Sequence, residues 1–300
     1  MQVLVLANTR SGKGKSAAIA DRLTAALSDA GHHPVRFQPA PVPPGPIQTD
    51  PRFADADAVV AVGGDGTVYH ALPQLIRTQT PVYHAPGGNE NLFAREFGMT
   101  ADPANLLRAL NRGPSAPVDV GTVTTRDATR PFAIMLSIGP DASVIHRLHA
   151  NRTRASGHAM YLAPTLAECR SPHLPALTIR ADGRPVVTGQ RGFAIVANCR
   201  RYALGLDPAR DADMRDGRLD LVFFPAASIA GALLWMGRCM LGDPLDWRGV
   251  TVARGTSFEI DTDARAPWQV DGEAGGWTEP GEPLCVGVRP GVLRVLSAGS

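Results

Sequence analysis

Three hundred residues, 44% hydrophobic and 19% charged, suffice for two domains with cores of their own and are too ordinary in composition for a disordered or membrane-embedded chain. Thirty Lys and Arg against 28 Asp and Glu leave a formal charge of +2, so no broad basic face for nucleic acid is expected, with Arg clusters at 147–154 and 191–201 as local exceptions.

The opening QVLVLAN reads as a strand, and the segment turns from apolar to basic, the reverse of a secretion signal, so a cytoplasmic location is expected. SGKGKSAAIADRLTAALSDAG carries Ile19, Leu23 and Leu27 at helical spacing and ends near Gly31. PVRFQPA follows as a second strand, and the Pro-rich PVPPGPIQTDP as a loop. ADAVVAVGG is a near-continuous apolar run of the kind that fills a parallel strand covered on both faces. A helix comes next, then a strand at TPVYHA, the turn PGGN and a short helix at NLFAREFG. This alternation predicts a Rossmann-like α/β layer.

After APVDVGTV the texture changes to short strands between Gly, Asp and Pro turns, among them FAIMLSIG, FAIVANCR, RLDLVFF, WQVDGE and GVLRVL. The fold class expected is therefore α/β plus β, with a Rossmann-like domain over 1–122 and a β-sandwich over 123–300. Two helices are placed in the second domain, over DASVIHRLHANRTRASGHAMYLAPTLAECR and ASIAGALLWMGRCMLG. Arg238 interrupts the latter, and no uncharged run reaches the roughly 18 to 20 residues of a membrane span. It is read as a core helix of the β domain, the other reading being a surface for acyl chains; HRLHANRTR is read as either a headgroup-binding or a solvated face. Cys169, Cys199, Cys239 and Cys285 lack CxxC spacing, which leaves zinc and redox motifs unsupported.

Three glycine-bearing turns join a strand end to a helix: NTRSGKGKS, GGDGT and PGGNEN. In an open α/β sheet such turns converge at the carboxyl ends of the strands, where helix N-termini offer N–H groups to phosphate. Within GGDGT, Thr67 can cap the helix and Asp65 places a carboxylate where a divalent metal or a substrate hydroxyl would sit; the plainer reading is a tight turn with a capping Asp. It is not a Walker loop, which would need GxxxxGK[ST]. RDGRLD and VDGE each also read as simple Asp-Gly turns. His70, His84 and His158 show no metal-like pairing and read as surface or core histidines.

In this order and at these intervals, ANTRSGKGKS, VGGDGTVYHAL, APGGNENLFAREFGM, VDVG, RDGRLDL and QVDGE resemble the diacylglycerol kinase catalytic family, as found in bacterial soluble lipid kinases and, more distantly, in sphingosine and ceramide kinases. The resemblance runs over essentially the whole chain. It implies an ATP- and Mg²⁺-dependent kinase that phosphorylates the hydroxyl of a lipid alcohol such as diacylglycerol. Its partner would be lipid at a membrane surface, met by peripheral association, with no nucleic acid and with room for a homodimer. Carried over residue by residue, the resemblance implies that Asn8, Thr9, Arg10, Ser11 and Gly12, the turn Gly63, Gly64, Asp65, Gly66 and Thr67, and the turn Gly88, Asn89, Glu90 and Asn91 hold the nucleotide. Asp65 would be a core acid of the site, a base in the sphingosine kinase branch. Asp119 would help hold Mg²⁺ through water, and Asp216 with the carbonyls of Asp213 and Arg218 would form a second, structural metal site. Glu273 would accept the proton of the lipid hydroxyl.

One departure stands out. The family usually reads P-x-G-T-x-N-D-F-A where this chain has Pro86, Gly88, Asn89, Glu90, Asn91, Leu92, Phe93 and Ala94, so the Thr is Asn89 and the Asp is Leu92. Either Glu90 supplies the carboxylate from two residues earlier, the preferred reading, or one contact is lost. Two rivals fit the same motifs: an NAD kinase-like enzyme acting on a soluble substrate, and a non-catalytic nucleotide- or lipid-binding homologue.

Overall fold

The strand β1 (Gln2–Ala7) buries every residue after Gln2, and β3 (Ala58–Gly63) buries all of AVVAVG, as expected of parallel strands covered on both faces. In the computed structural model, which describes residues 1–7, 14–38, 49–150, 173–242 and 249–297, these two strands lie between β2 (His33–Phe37) and β4 (Val82–Pro86). The order is β2-β1-β3-β4, with every pairing parallel. Helix α1 (Lys15–Asp29) buries Ala20, Leu23 and Leu27 along one stripe. The remaining helices of this unit are α2 (Arg52–Asp55), α3 (Asp65–Thr78), α4 (Leu92–Glu96) and α5 (Pro103–Arg112). The order reverses between β1 and β3, and ligands of such sheets bind beyond the strand ends at that reversal.

Two units are resolved by their internal contacts: Met1–Val118 with Gly291–Ser300, and Asp119–Pro290. By these contacts the main stretch of the first unit ends at Val118, and the chain from Gly291 onward belongs with it. The cause is pairing at the edge of β4, where Val82 N–H donates to the Arg294 carbonyl at 3.0 Å and Leu296 N–H donates to the Val82 carbonyl at 2.8 Å. Val295 at the centre of this bridge is fully buried.

The second unit is built on antiparallel pairings: β5 (Val118–Thr124), β6 (Thr129–Phe132), β7 (Met135–Ile138), β8 (Ala176–Ala181), β9 (Arg184–Ala197), β10 (Leu219–Pro225), β11 (Thr251–Gly255), β12 (Ser257–Thr262), β13 (Pro267–Val270), β14 (Glu273–Trp277) and β15 (Leu284–Leu293). The long β9 ties two sheets together. Its first half pairs with β8, and its second half runs between β7 and β10. Gly192 stands where the change occurs, and a Cβ there would lie 2.2 Å from the Phe224 carbonyl, so no larger residue lets the strands meet.

Helix α6 (Pro140–Ala150) is the described part of the helix expected over 141–170. Residues 151–172, with His158, Cys169 and the last four residues of the basic segment, lie outside the described residues, as does most of the Pro-rich loop. Helix α7 (Ile229–Leu241) corrects the core-helix reading: it buries only Ala232, Trp235 and Cys239 and exposes Leu233, Leu234, Met236, Met240 and Leu241. An all-apolar helix carries no periodicity to say which face is inside, which is why the sequence misdirects here. Among the described residues no helix is long and apolar enough to cross a membrane.

Candidate active site

Two of the three glycine turns are described, and they touch through backbone. The Gly87 N–H donates to the Gly63 carbonyl at 2.7 Å. A Cβ on Gly88 would lie 2.6 Å from the Gly64 Cα, and a Cβ on Gly87 would lie 2.6 Å from Ser16 Oγ in the first turn of α1. Glycine is required at these positions by closeness of approach, with the head of α3 and the turn before α4 held against each other.

Side chains hold the pair in place. The Phe93 N–H donates to Asp65 Oδ1 at 3.0 Å, so the carboxylate at the start of α3 caps α4. Asn91, itself at φ 51°, accepts from the Gly88 N–H through Oδ1 and donates from Nδ2 to the Gly88 carbonyl, both at 2.9 Å. His84, fully buried on β4, sits with Nε2 2.9 Å from the Gly63 carbonyl. A carbonyl only accepts, so Nε2 carries the proton, and burial holds this imidazole below its ordinary pKa and neutral. The Gly63 carbonyl thus accepts from both Gly87 and His84. Thr67 does not cap α3 as expected: Gly64 is the N-cap, the Thr67 N–H donates to the Gly64 carbonyl at 2.9 Å, and Thr67 Oγ1 is enclosed with no hydrogen bond to any described residue. Asn89 is exposed and Glu90 half-buried in the turn, while Leu92 is buried in α4.

In the second unit, Asp119 Oδ2 accepts from the Gly217 N–H at 2.7 Å, and the Asp119 N–H donates to the Met214 carbonyl at 2.6 Å. Asp119, Asp213, Asp216 and Arg218 therefore meet at one turn. Asp213 Oδ1 accepts from the Arg215 N–H at 3.1 Å and Asp216 Oδ1 from the Arg218 N–H at 2.9 Å. Arg254 spans Asp220 at 3.0 Å and Asp216 at 3.8 Å. Burial lifts the Asp220 pKa despite the Arg254 guanidinium, which lowers it. Among the described residues no three His, Cys, Asp or Glu side chains cluster as a metal site.

Glu273 opens β14 directly after a two-residue turn, Asp271-Gly272, with φ of 48° and 79° between β13 and β14. Those two positive φ values are what Asp-Gly supplies in the commonest hairpin turn. The Asp271 carboxylate accepts three backbone N–H groups, from Ala133 at 2.7 Å, Ile134 at 2.8 Å and Met135 at 3.0 Å. A directed chain secures the other side: Gly272 N–H to Gln269 Oε1 at 2.8 Å, Gln269 Nε2 to Ser137 Oγ at 2.7 Å, and Ser137 Oγ to Asp141 Oδ2 at 2.5 Å, where Tyr202 OH also donates at 2.9 Å. Burial raises the Asp141 pKa above the usual carboxylate range and pushes Tyr202 well above that of a free phenol.

The sequence profile of the diacylglycerol kinase catalytic domain matches residues 2–123, and that of the YegS C-terminal NAD kinase beta sandwich-like domain matches residues 134–297. The chain belongs to the diacylglycerol kinase catalytic-domain family. It is 28% identical over 208 residues to a diacylglycerol kinase of Mycobacterium tuberculosis, covering 68% of this chain and 67% of that one. The crystal structure of a diacylglycerol kinase from Bacillus anthracis superposes with a TM-score of 0.66 at 16% identity, over 99% of this chain and 96% of the other. Yeast NADH kinase shares the fold at a TM-score of 0.57 and 13% identity, over 100% and 84%.

Within this diacylglycerol kinase-family chain, Gly63, Gly64, Asp65, Gly66 and Thr67 and the turn Gly88 to Asn91 come together in the first unit, whereas Asp119, Asp213, Asp216, Arg218 and Glu273 belong to the second. Asn8, Thr9, Arg10, Ser11 and Gly12 lie outside the described residues. His84, Asp271, Gln269, Asp141 and Tyr202 were not singled out as supports of the site from sequence, because each acts through a partner distant in the chain. Asp271 alone carried a local signal, its place before Gly272.

Proposed function

We propose that the protein is an ATP-dependent kinase of a lipid alcohol, with diacylglycerol as the model substrate. The observation that carries this reading is the contact of the Gly64 and Gly88 backbones beside the Asp65 carboxylate. A cradle of backbone with no space for a Cβ at Gly87 or Gly88, at the start of a helix and with an enclosed Thr67 hydroxyl that has no hydrogen bond to any described residue, is chemically suited to phosphate oxygens. The Asp119 carboxylate suits Mg²⁺ held chiefly through its waters, and bound Mg²⁺ would neutralise charge on the transferring phosphate.

Phosphoryl transfer asks the protein mainly to position and to stabilise charge. The lipid hydroxyl oxygen forms a bond to the γ-phosphorus as the bond to the bridging oxygen of ADP breaks, and the hydroxyl proton passes to a carboxylate, the role assigned to Glu273. Asp271 and Gln269 keep Glu273 at a fixed place on its hairpin. Glu90 takes the part of the family's missing acid, since the buried Leu92 position leaves no room for a charge.

The test is ADP release from ATP and Mg²⁺ over mixed micelles of diacylglycerol, monoacylglycerol, ceramide and a sphingoid base, with NAD as the soluble competitor. Lipid-dependent turnover that disappears in Glu273→Ala and Asp65→Asn upholds the proposal. Phosphorylation of NAD in its place would transfer the chain to the NAD kinase-like reading, and tight ATP binding without turnover to the non-catalytic one.

A further inference from the structure

Between β6 and β7 the chain passes through Ala133 and Ile134, and this short connection is gripped from both sides. On one side the Asp271 carboxylate accepts their N–H groups. On the other stands Asn198, the residue after the end of β9. Its backbone N–H donates to the Ile134 carbonyl at 2.8 Å, and its side-chain Nδ2 donates to the Ala133 carbonyl at 2.7 Å. Every backbone hydrogen-bonding group of the connection thus meets either Asp271 or Asn198.

The same Nδ2 reaches a second strand. It also donates to the Asp119 carbonyl at 2.9 Å, so one NH₂ group spans Asp119 on β5 and Ala133 on the approach to β7. A carbonyl only accepts, so the nitrogen must face both and Oδ1 is turned away from them. That oxygen is enclosed, with no hydrogen bond to any described residue, on a side chain buried to within 1% of its surface. Burying an acceptor in this way is unfavourable, and an apolar side chain would avoid it. The amide at this position is explained by its two donated bonds and by nothing that packing requires.

We propose that Asn198 is a positioning residue of the phosphoryl transfer, fixing the Asp119 carboxylate and the Glu273 hairpin relative to each other within the second unit. The route is short. It runs from Asp119 through Nδ2 to the Ala133 carbonyl, from the Ala133 N–H to the Asp271 carboxylate at 2.7 Å, and from Asp271 through its turn to Glu273. The bonds that Asp119 makes to Gly217 and Met214 steady it against its own turn, and Asn198 ties it to the hairpin. Misplacing a reacting group by about 1 Å can cost about a hundredfold in rate, so a bridge between the carboxylate suited to Mg²⁺ and the carboxylate assigned the hydroxyl proton bears directly on turnover. The inference rests on the lipid-kinase reading for the roles of these two acids, while the bridge itself is tested without turnover.

Asn198→Leu keeps the branched outline of the side chain and removes both donors. Hydrogen–deuterium exchange in the full chain reads the bridge through the Gly217 N–H, which donates to Asp119 Oδ2, and the Gly272 N–H, which donates to Gln269 Oε1. Both should quicken by about tenfold or more in the variant, with the amides of β1 unchanged. Lipid-dependent kcat should fall by about tenfold or more when Asn198→Leu is made in the unaltered protein, and by less than about threefold when it is made on Glu273→Gln. The relation between two groups has no value once one of them is gone, whereas a merely structural Asn198 would give the full loss in both backgrounds. That full loss in both, or quickened exchange at only one of the two amides or at neither, overturns the proposal. Should Asn198→Leu not fold, exchange of the unaltered protein in low urea decides: the two amides should share one dependence on urea, and separate dependences overturn it. If the unaltered protein turns over no lipid while the two amides still quicken together, the kinase reading fails and the bridge from Asp119 to the hairpin stands.

Discussion

Asp65 and Phe93, 28 residues apart, are joined by the hydrogen bond from the Phe93 N–H to Asp65 Oδ1. One carboxylate therefore starts α3 and caps α4, so its charge and its shape can be separated by mutation. Asp65→Asn keeps an acceptor for Phe93 and removes the charge; Asp65→Ala removes both. Each should cut lipid-dependent ADP release by about a hundredfold or more. Only the Ala variant should also lose about 1 kcal/mol in urea unfolding.

The Gly64–Gly88 contact makes a sharper demand. Gly88→Ala sets a methyl 2.6 Å from the Gly64 Cα, backbone that cannot rotate aside. The two turns must part, and the variant should lose about 1–3 kcal/mol of stability together with measurable ATP binding. Calorimetric melting and nucleotide titration would read the two losses.

Asp271 answers three N–H groups of the segment entering β7. Asp271→Ala strands all three in a buried place and should destabilise the protein by about 3 kcal/mol or more. Asp271→Asn should lie between, because its NH₂ faces at least one donor. Urea unfolding of the pair measures the difference, and a loss under about 1 kcal/mol in the Ala variant would remove Asp271 as the anchor of the Glu273 hairpin.

Asp141 gives a pH dependence of definite sign. Its folded-state pKa is raised from the ordinary 3.8, so the folded protein keeps this proton after the unfolded chain has released it. The favourable contribution is complete below 3.8 and falls away as pH rises through the raised value. Asp141→Asn, which is neutral throughout, should thus gain stability relative to the parent as pH increases across that window. Urea unfolding of both proteins at about pH 4 and about pH 8 would show it, and a constant difference would mean that the group ionises alike in both states.

Much of this was legible in sequence where the information is local. The runs VLVLA and AVVAVG announced parallel strands, the glycines marked the turns, and Asp271-Gly272 marked a hairpin. What stayed hidden was pairwise. Nothing near Asp65 points to Phe93, and nothing near Thr67 shows that Gly64 starts the helix in its stead. His84 looks like any strand histidine until Gly63 is placed beside it. The outward face of α7 was unreadable for a different reason: with apolar residues on every side, the helix carries no contrast from which to infer an inside. The return of the chain at Gly291 was missed because so short a segment has no texture of its own.

That returning segment bears on how the protein is made. A ribosome emits β4 early and its edge partner, Val295, more than two hundred residues later. The whole of Asp119–Pro290 must leave the exit tunnel before the first unit can complete its sheet. The Gly64–Gly88 turn pair therefore waits, with the open edge of β4 unpaired, until the chain as far as Val295 has emerged.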